Sequence, residues 1–89
     1  MSLSNVFTSK FPKLDLHGYD RETARVAIND FIEENFKLKK ETFVIIHGIG
    51  TGVLKNATAE TLKKNKRVKE SQIDFMNIGS TIVRINLTK

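Results

Sequence analysis

Thr42-Phe43-Val44-Ile45-Ile46-His47-Gly48-Ile49-Gly50-Thr51-Gly52-Val53-Leu54 passes from one backbone habit to another. Thr42 to Ile46 is β-branched and aromatic, the composition of a buried strand, and Val53-Leu54-Lys55 opens a helical pattern. Between them stands a run of alternating glycines. Strand, glycine loop, helix is the layout of a phosphate cradle, because backbone N–H groups without a Cβ beside them approach an anion closely. The first turn of the next helix adds unpaired donors and the positive end of its dipole. An isolated G-x-G-x-G is equally compatible with a tight turn, so the weight falls on what the flanking sequence adds.

Upstream, Lys13-Leu14-Asp15-Leu16-His17 alternates with period two, which sets Leu14 and Leu16 on one face and Asp15 and His17 on the other. In an extended strand the acid and the imidazole are neighbours at roughly 7 Å between Cα atoms. Gly18 ends the strand and Asp20 is a natural N-cap for a helix over Arg21 to Phe36. Ala24, Ala27, Ile28, Phe31 and Ile32 form its apolar stripe. Lys37 to Glu41 then leads into the strand Thr42 to His47. A strand, a helix and a strand in succession predict a right-handed parallel crossover, which brings the C-terminal ends of both strands to one rim. Ligand crevices of open α/β sheets lie at that rim, so Asp15, His17, His47 and the glycine loop are expected to converge there.

Downstream, Val53 to Lys66 is read as a helix with Leu54, Ala57, Thr58, Thr61 and Leu62 inside and Lys55, Lys63 and Lys66 flanking them. Gln72 to Met76 is read as a third strand, Asn77-Ile78-Gly79-Ser80 as a turn, and Thr81 to Leu87 as a fourth strand antiparallel to the third. The expected order is βαβαββ, an α/β two-layer sandwich of one mixed four-stranded sheet and two helices. Residues 1–12, with Val6, Phe7 and Phe11, read as an arm whose phenylalanines pack on the domain formed by residues 13–89. No repeat, linker or low-complexity segment interrupts it.

Eighty-nine residues suffice for one core and not for two. The absence of cysteine excludes disulfides, thiolate zinc sites and cysteine nucleophiles. No apolar run is long enough to span a membrane and Met1 to Lys13 lacks the apolar core of a signal peptide, so a reducing cytoplasm and no membrane partner are expected. The net charge of +5 is unevenly placed. Lys37, Lys39, Lys40, Lys55, Lys63, Lys64, Lys66, Arg67 and Lys69 face only Glu41 and Glu60 between residues 37 and 69, whereas residues 1–36 are acidic on balance. Positive charge on both sides of the glycine loop is the footprint of a polyanion binder, although lysine-rich helices are also ordinary solvated faces.

Phosphodiester cleavage needs a proton acceptor for the attacking oxygen, a donor for the leaving oxygen and positive groups around the transition state. Imidazole is the side-chain class that exchanges protons around neutral pH, so His17 suits the proton transfer, with Asp15 orienting it and His47 a second proton-transfer group. Gly48, Gly50, Thr51 and Gly52, with the helix terminus and Lys55, Lys63 and Lys66, would hold the phosphates. A divalent metal on Asp15, His17 and His47 is an alternative, though their spacing matches no recognised metal motif. In the plainest alternative, Asp15 and His17 hydrogen-bond each other and cap a strand end. A dinucleotide fingerprint fails, since G-x-G-x-x-G would need glycine at Val53.

Leu14-Asp15-Leu16-His17-Gly18 and His47-Gly48-Ile49-Gly50-Thr51-Gly52, separated by an amphipathic helix, resemble the LDLHG and HGxGxG motifs of the Smr (small MutS-related) domain. Gly79-Ser80-Thr81-Ile82-Val83 is similar to that family's late G-x-T-x-V segment. The resemblance spans about residues 13–88 and implies a fold similar to the C-terminal domain of bacterial translation initiation factor three. It also implies an endonuclease that nicks DNA, including branched DNA, or cleaves RNA, including messenger RNA on stalled ribosomes. Asp15 and His17 would be the catalytic pair and Gly48, Gly50 and Gly52 the phosphate-contacting loop. Nucleic acid is then the expected partner, with the ribosome a further one, and the isolated domain is expected to be a monomer. A module that binds nucleic acid or the ribosome without cleaving is the competing function. Ile49 stands where many members carry a polar residue, and Ile78 replaces the first of the usual paired glycines.

Overall fold

The computed structural model describes residues 10–88, which form β1 (Lys13–Asp15), α1 (Arg21–Lys37), β2 (Thr42–Ile46), α2 (Val53–Lys64), β3 (Val68–Asp74) and β4 (Asn77–Ile85). The strands make one sheet in the order β1-β2-β4-β3. β1 pairs parallel to β2, with Asp15 opposite Ile46, and β4 is antiparallel to both its neighbours. β3 therefore runs with β1 and β2, and all three end at one rim. The expected βαβαββ order and mixed sheet are present.

Local chemistry sets the helix boundaries. The Asp20 side chain accepts the Thr23 N–H at 2.7 Å, and that bond holds the Asp20 carboxyl below its ordinary range. α1 then buries Ala24, Ile28 and Ile32 against Leu16, Phe43, Ile45, Val83 and Ile85, with Leu62 of α2 in the same cluster. Phe31 meets Phe43 edge to face at 5.2 Å between ring centres. Each of these large aliphatic side chains is worth about 2–5 kcal/mol against truncation to alanine. At its far end α1 is tied to the start of β3: Arg67 pairs with Glu33 and stacks 3.6 Å over the Phe36 ring. Asn65 also bonds Asn29 at 2.9 Å.

Both helices cover one face of the sheet. On the other, Val44 and Ile82 are buried beneath Phe11 and Ile46. Phe11 packs against this second cluster, while Phe7 and the rest of residues 1–9 of the expected arm lie outside the described residues. Among the described residues no helix is long and apolar enough to cross a membrane.

The boundaries differ from expectation at the last hairpin. β3 begins at Val68, because Lys69 and Glu70 sit on an edge strand where alternating charges are tolerated; Glu70 meets Arg84 of β4 at 3.2 Å. The turn is Phe75-Met76, and Asn77 to Ser80 belong to β4. Asn77 and Gly79 carry turn chemistry but use it within an irregular ladder, where Asn77 Oδ1 accepts the Gly79 N–H at 3.1 Å. β1 is also shorter than expected. It ends at Asp15, and His17 lies in the following turn.

Candidate functional site

The first motif is built as a capped turn. Leu16, fully buried, anchors it by donating its N–H to Ile46 O at 2.9 Å, and its own carbonyl accepts the Tyr19 N–H. Asp15 is exposed at the strand end, and its Oδ1 accepts the backbone N–H of His17 at 2.9 Å. The carboxylate therefore holds the main chain under the imidazole rather than the ring itself. The His17 ring is exposed and makes no hydrogen bond among the described residues. An acceptor carboxylate and an uncommitted imidazole are thus both exposed to solvent, two residues apart on one short segment.

The second motif follows β2 and is clamped from beneath. His47 and Gly48 both donate their N–H groups to Gly79 O at 2.9 Å. The backbones come so close that a Cβ on Gly79 would lie 3.3 Å from the Gly48 Cα and carbonyl carbon, and Gly48 itself has φ +81°. Gly48 thus gives its donor to the sheet. The N–H groups of Ile49, Gly50, Thr51 and Gly52 have no acceptor among the described residues. They line, with Tyr19, His47, Val53 and Leu54, a cavity of about 290 Å³. α2 starts here with no acidic side chain in its first turn, and its first intrahelical bond runs from Asn56 N–H to Gly52 O. Free amides and a helix N-terminus make a cradle suited to an anion.

His47 occupies a different setting from His17. It is 6% exposed, on the helix-covered side of the sheet. Its Nδ1 lies 2.9 Å from Gly48 O and its Nε2 2.9 Å from Thr81 Oγ1. A carbonyl can only accept, so Nδ1 carries a hydrogen; a neutral ring then receives the Thr81 hydroxyl hydrogen at Nε2. Both nitrogens are engaged in bracing the glycine loop against β4. Among the described residues no three His, Asp or Glu side chains form a group able to hold a metal ion, so Asp15, His17 and His47 are not gathered into one.

The lysines divide along α2. Lys55 is exposed in its first turn beside the cradle, and Lys63 is exposed near its end. Lys66 lies beyond the helix, a length of about 18 Å away, and lines a separate cavity of about 670 Å³ with Arg25, Glu33, Glu60, Lys64 and Arg67. Two residues that brace the site, Gly79 and Thr81, had no role assigned from sequence. Their only trace was the Gly79-Ser80-Thr81 segment itself.

Residues 14–86 match the family described as Smr domain. Among curated relatives, the chain is 46% identical over 56 residues to the Endonuclease MutS2 of Aquifex aeolicus, covering 63% of this chain and 7% of that protein. It is 36% identical over 72 residues to the Endonuclease MutS2 of Clostridium acetobutylicum, covering 81% of this chain and 9% of that one. The chain thus spans about a tenth or less of the length of these relatives. The Smr domain of Thermus thermophilus MutS2 superposes with a TM-score of 0.82 at 29% identity, over 84% of this chain and 98% of that structure. YdaL, a stand-alone small MutS-related protein from Escherichia coli, shares the fold with a TM-score of 0.80 at 20% identity, over 86% of this chain and 68% of that one.

Proposed function

Because the chain belongs to the Smr domain family, we propose that it is a nucleic-acid endonuclease that cleaves phosphodiester bonds. RNA, including RNA on stalled ribosomes, is the leading substrate and branched or nicked DNA the next. The observation that supports this reading is the shared rim: the Leu16 N–H to Ile46 O bond ties the turn that carries His17 to the end of β2, from which the loop of unpaired amides departs.

In this reading the amides of Ile49 to Gly52 and the ammonium of Lys55 receive the phosphate oxygens and neutralise the charge that grows on them. His17 takes the proton from the attacking oxygen, either water or the neighbouring 2′-hydroxyl of RNA, and the leaving oxygen is protonated in turn. Asp15 fixes the turn that presents His17 and offsets the charge of the imidazolium. His47 is a positioning residue, because both its nitrogens hold the loop.

The test is cleavage of labelled single-stranded RNA, duplex RNA and supercoiled plasmid by the purified chain, with and without EDTA. Asp15→Ala and His17→Ala are each expected to lower the rate by about 100-fold or more. Wild-type rates in both variants would remove the assignment. The second reading, a module that binds without cleaving, is favoured by one detail: Asp15 bonds the His17 main chain and not its ring. Salt-sensitive binding with no Asp15-dependent product on any substrate would leave that reading alone.

A further inference from the structure

Three strand ends share the rim, and the proposed chemistry uses two of them. The third is the β3–β4 turn, Asp74-Phe75-Met76-Asn77. It is held firmly: the buried Asp74 accepts the Met76 N–H at 2.9 Å, and Asn77 accepts that of Gly79. The turn nevertheless displays Phe75 at 62%, Met76 at 78% and Ile78 at 54% exposure. Ile49, 65% exposed, adjoins Gly48 just as Ile78 adjoins Gly79, and those two glycines are the ones in backbone contact. Single exposed apolar side chains are ordinary on a protein surface. Four on two segments clamped together at the backbone are a concentration of exposed apolar surface that asks for an occupant.

We propose, on the basis of the nuclease reading above, that Phe75 with Met76, Ile78 and Ile49 is a base-stacking platform and that the substrate is consequently an unpaired strand. With strands about 4.8 Å apart, β3 lies about 10 Å across the sheet from β2, whose end carries the glycine loop, and about 14 Å from β1, a span of one to a few nucleotides. A strand held by one phosphate at the glycine loop therefore brings a neighbouring base over the hairpin tip. An unpaired base offers an aromatic face to Phe75, and every base has such a face, so the platform selects strandedness and not sequence. In a duplex those faces are already covered by stacked neighbours. The basic excess of residues 37–69 around the loop favours a polyanion over a protein as the occupant. Ile49 then has a role as apolar contact, in place of the polar one expected from its position in the loop.

The measurement is the affinity of the Asp15→Asn chain, in which, on the nuclease reading, the oligonucleotide is expected to stay intact, for an unpaired RNA and for the blunt duplex of the same sequence. Adding Phe75→Ala is expected to weaken unpaired binding about tenfold and to change duplex binding less than about twofold. The chain has no tryptophan, so Phe75→Trp gives a single indole at the tip, expected to be quenched by the unpaired oligonucleotide and not by the duplex. Equal losses on both nucleic acids, no loss on the unpaired one, or an indole unmoved by it would overturn the proposal, and a patch that docks protein would give the last two results. Strand-selective loss in a chain that never cleaves would keep the platform and remove the nuclease reading. Asp15-dependent cleavage indifferent to Phe75 would do the reverse.

Discussion

Thr81 is the residue on which the setting of His47 depends. Its hydroxyl is the partner of a ring nitrogen that has no access to water, and removing it leaves a buried polar atom unpaired. Thr81→Val, nearly the same shape, is expected to cost about 1–3 kcal/mol in urea unfolding, while Thr81→Ser should stay close to wild type. The sequence makes His47 look like a twin of His17, since each ends a strand before a glycine. What separates them is a partner 34 residues further on, supplied by the register that sets Thr81 opposite Ile45. Pairings of that range leave no local pattern. The Asp15-His17 neighbourhood, in contrast, is carried by residues two apart, although a turn and a bond from the His17 N–H to the carboxylate join them in place of the expected strand alternation.

At the scale of elements, the glycine loop is held by β4 as much as by its own sequence. Gly79→Ala would press a methyl group to within 3.3 Å of two main-chain atoms of Gly48, neither of which can rotate away. A loss of about 1–3 kcal/mol in stability is expected, with displacement of the amides and slower cleavage. Gly50→Ala is the control for stability alone, because its Cβ would meet nothing within 4 Å. The helices and β2 were legible in advance, since caps and periodicity are local. The hairpin was not, because Asp74, Asn77 and Gly79 all carry turn chemistry and only strand pairing shows which of them flank the turn. The α1–β3 junction carries a pH dependence. The Arg67 hydrogen bond holds the Glu33 carboxyl below its ordinary range, so the folded chain binds that proton less readily than the unfolded one. This contribution is complete above the usual carboxylate range and is lost as pH falls through the lowered value. Thermal melts from neutral to acid pH should therefore show a shallower decline for Glu33→Gln than for wild type, starting from a lower melting temperature.

For the whole molecule, the net charge of +5 matters by where it stands. Binding to a single strand should weaken with salt, with a slope of about 0.7 in log affinity per log salt for each phosphate neutralised. Lys55→Ala is expected to reduce that slope by about one such unit when affinity is titrated against salt. Lys66→Ala should leave it unchanged, because that side chain lines the separate cavity beyond the far end of α2.

The strand order has a consequence for when such activity can exist. β4 is the last of the described strands along the chain, yet it lies between β2 and β3 in the sheet. While the chain is being made, β2 has no antiparallel neighbour, His47 no hydroxyl and Gly48 no carbonyl to hold it. The cradle closes only after residues 77–85 have left the ribosome and slotted into the middle of a half-built sheet. A domain proposed to cut nucleic acid thus has no finished cradle to hold a phosphate until β4 itself has been made and has emerged.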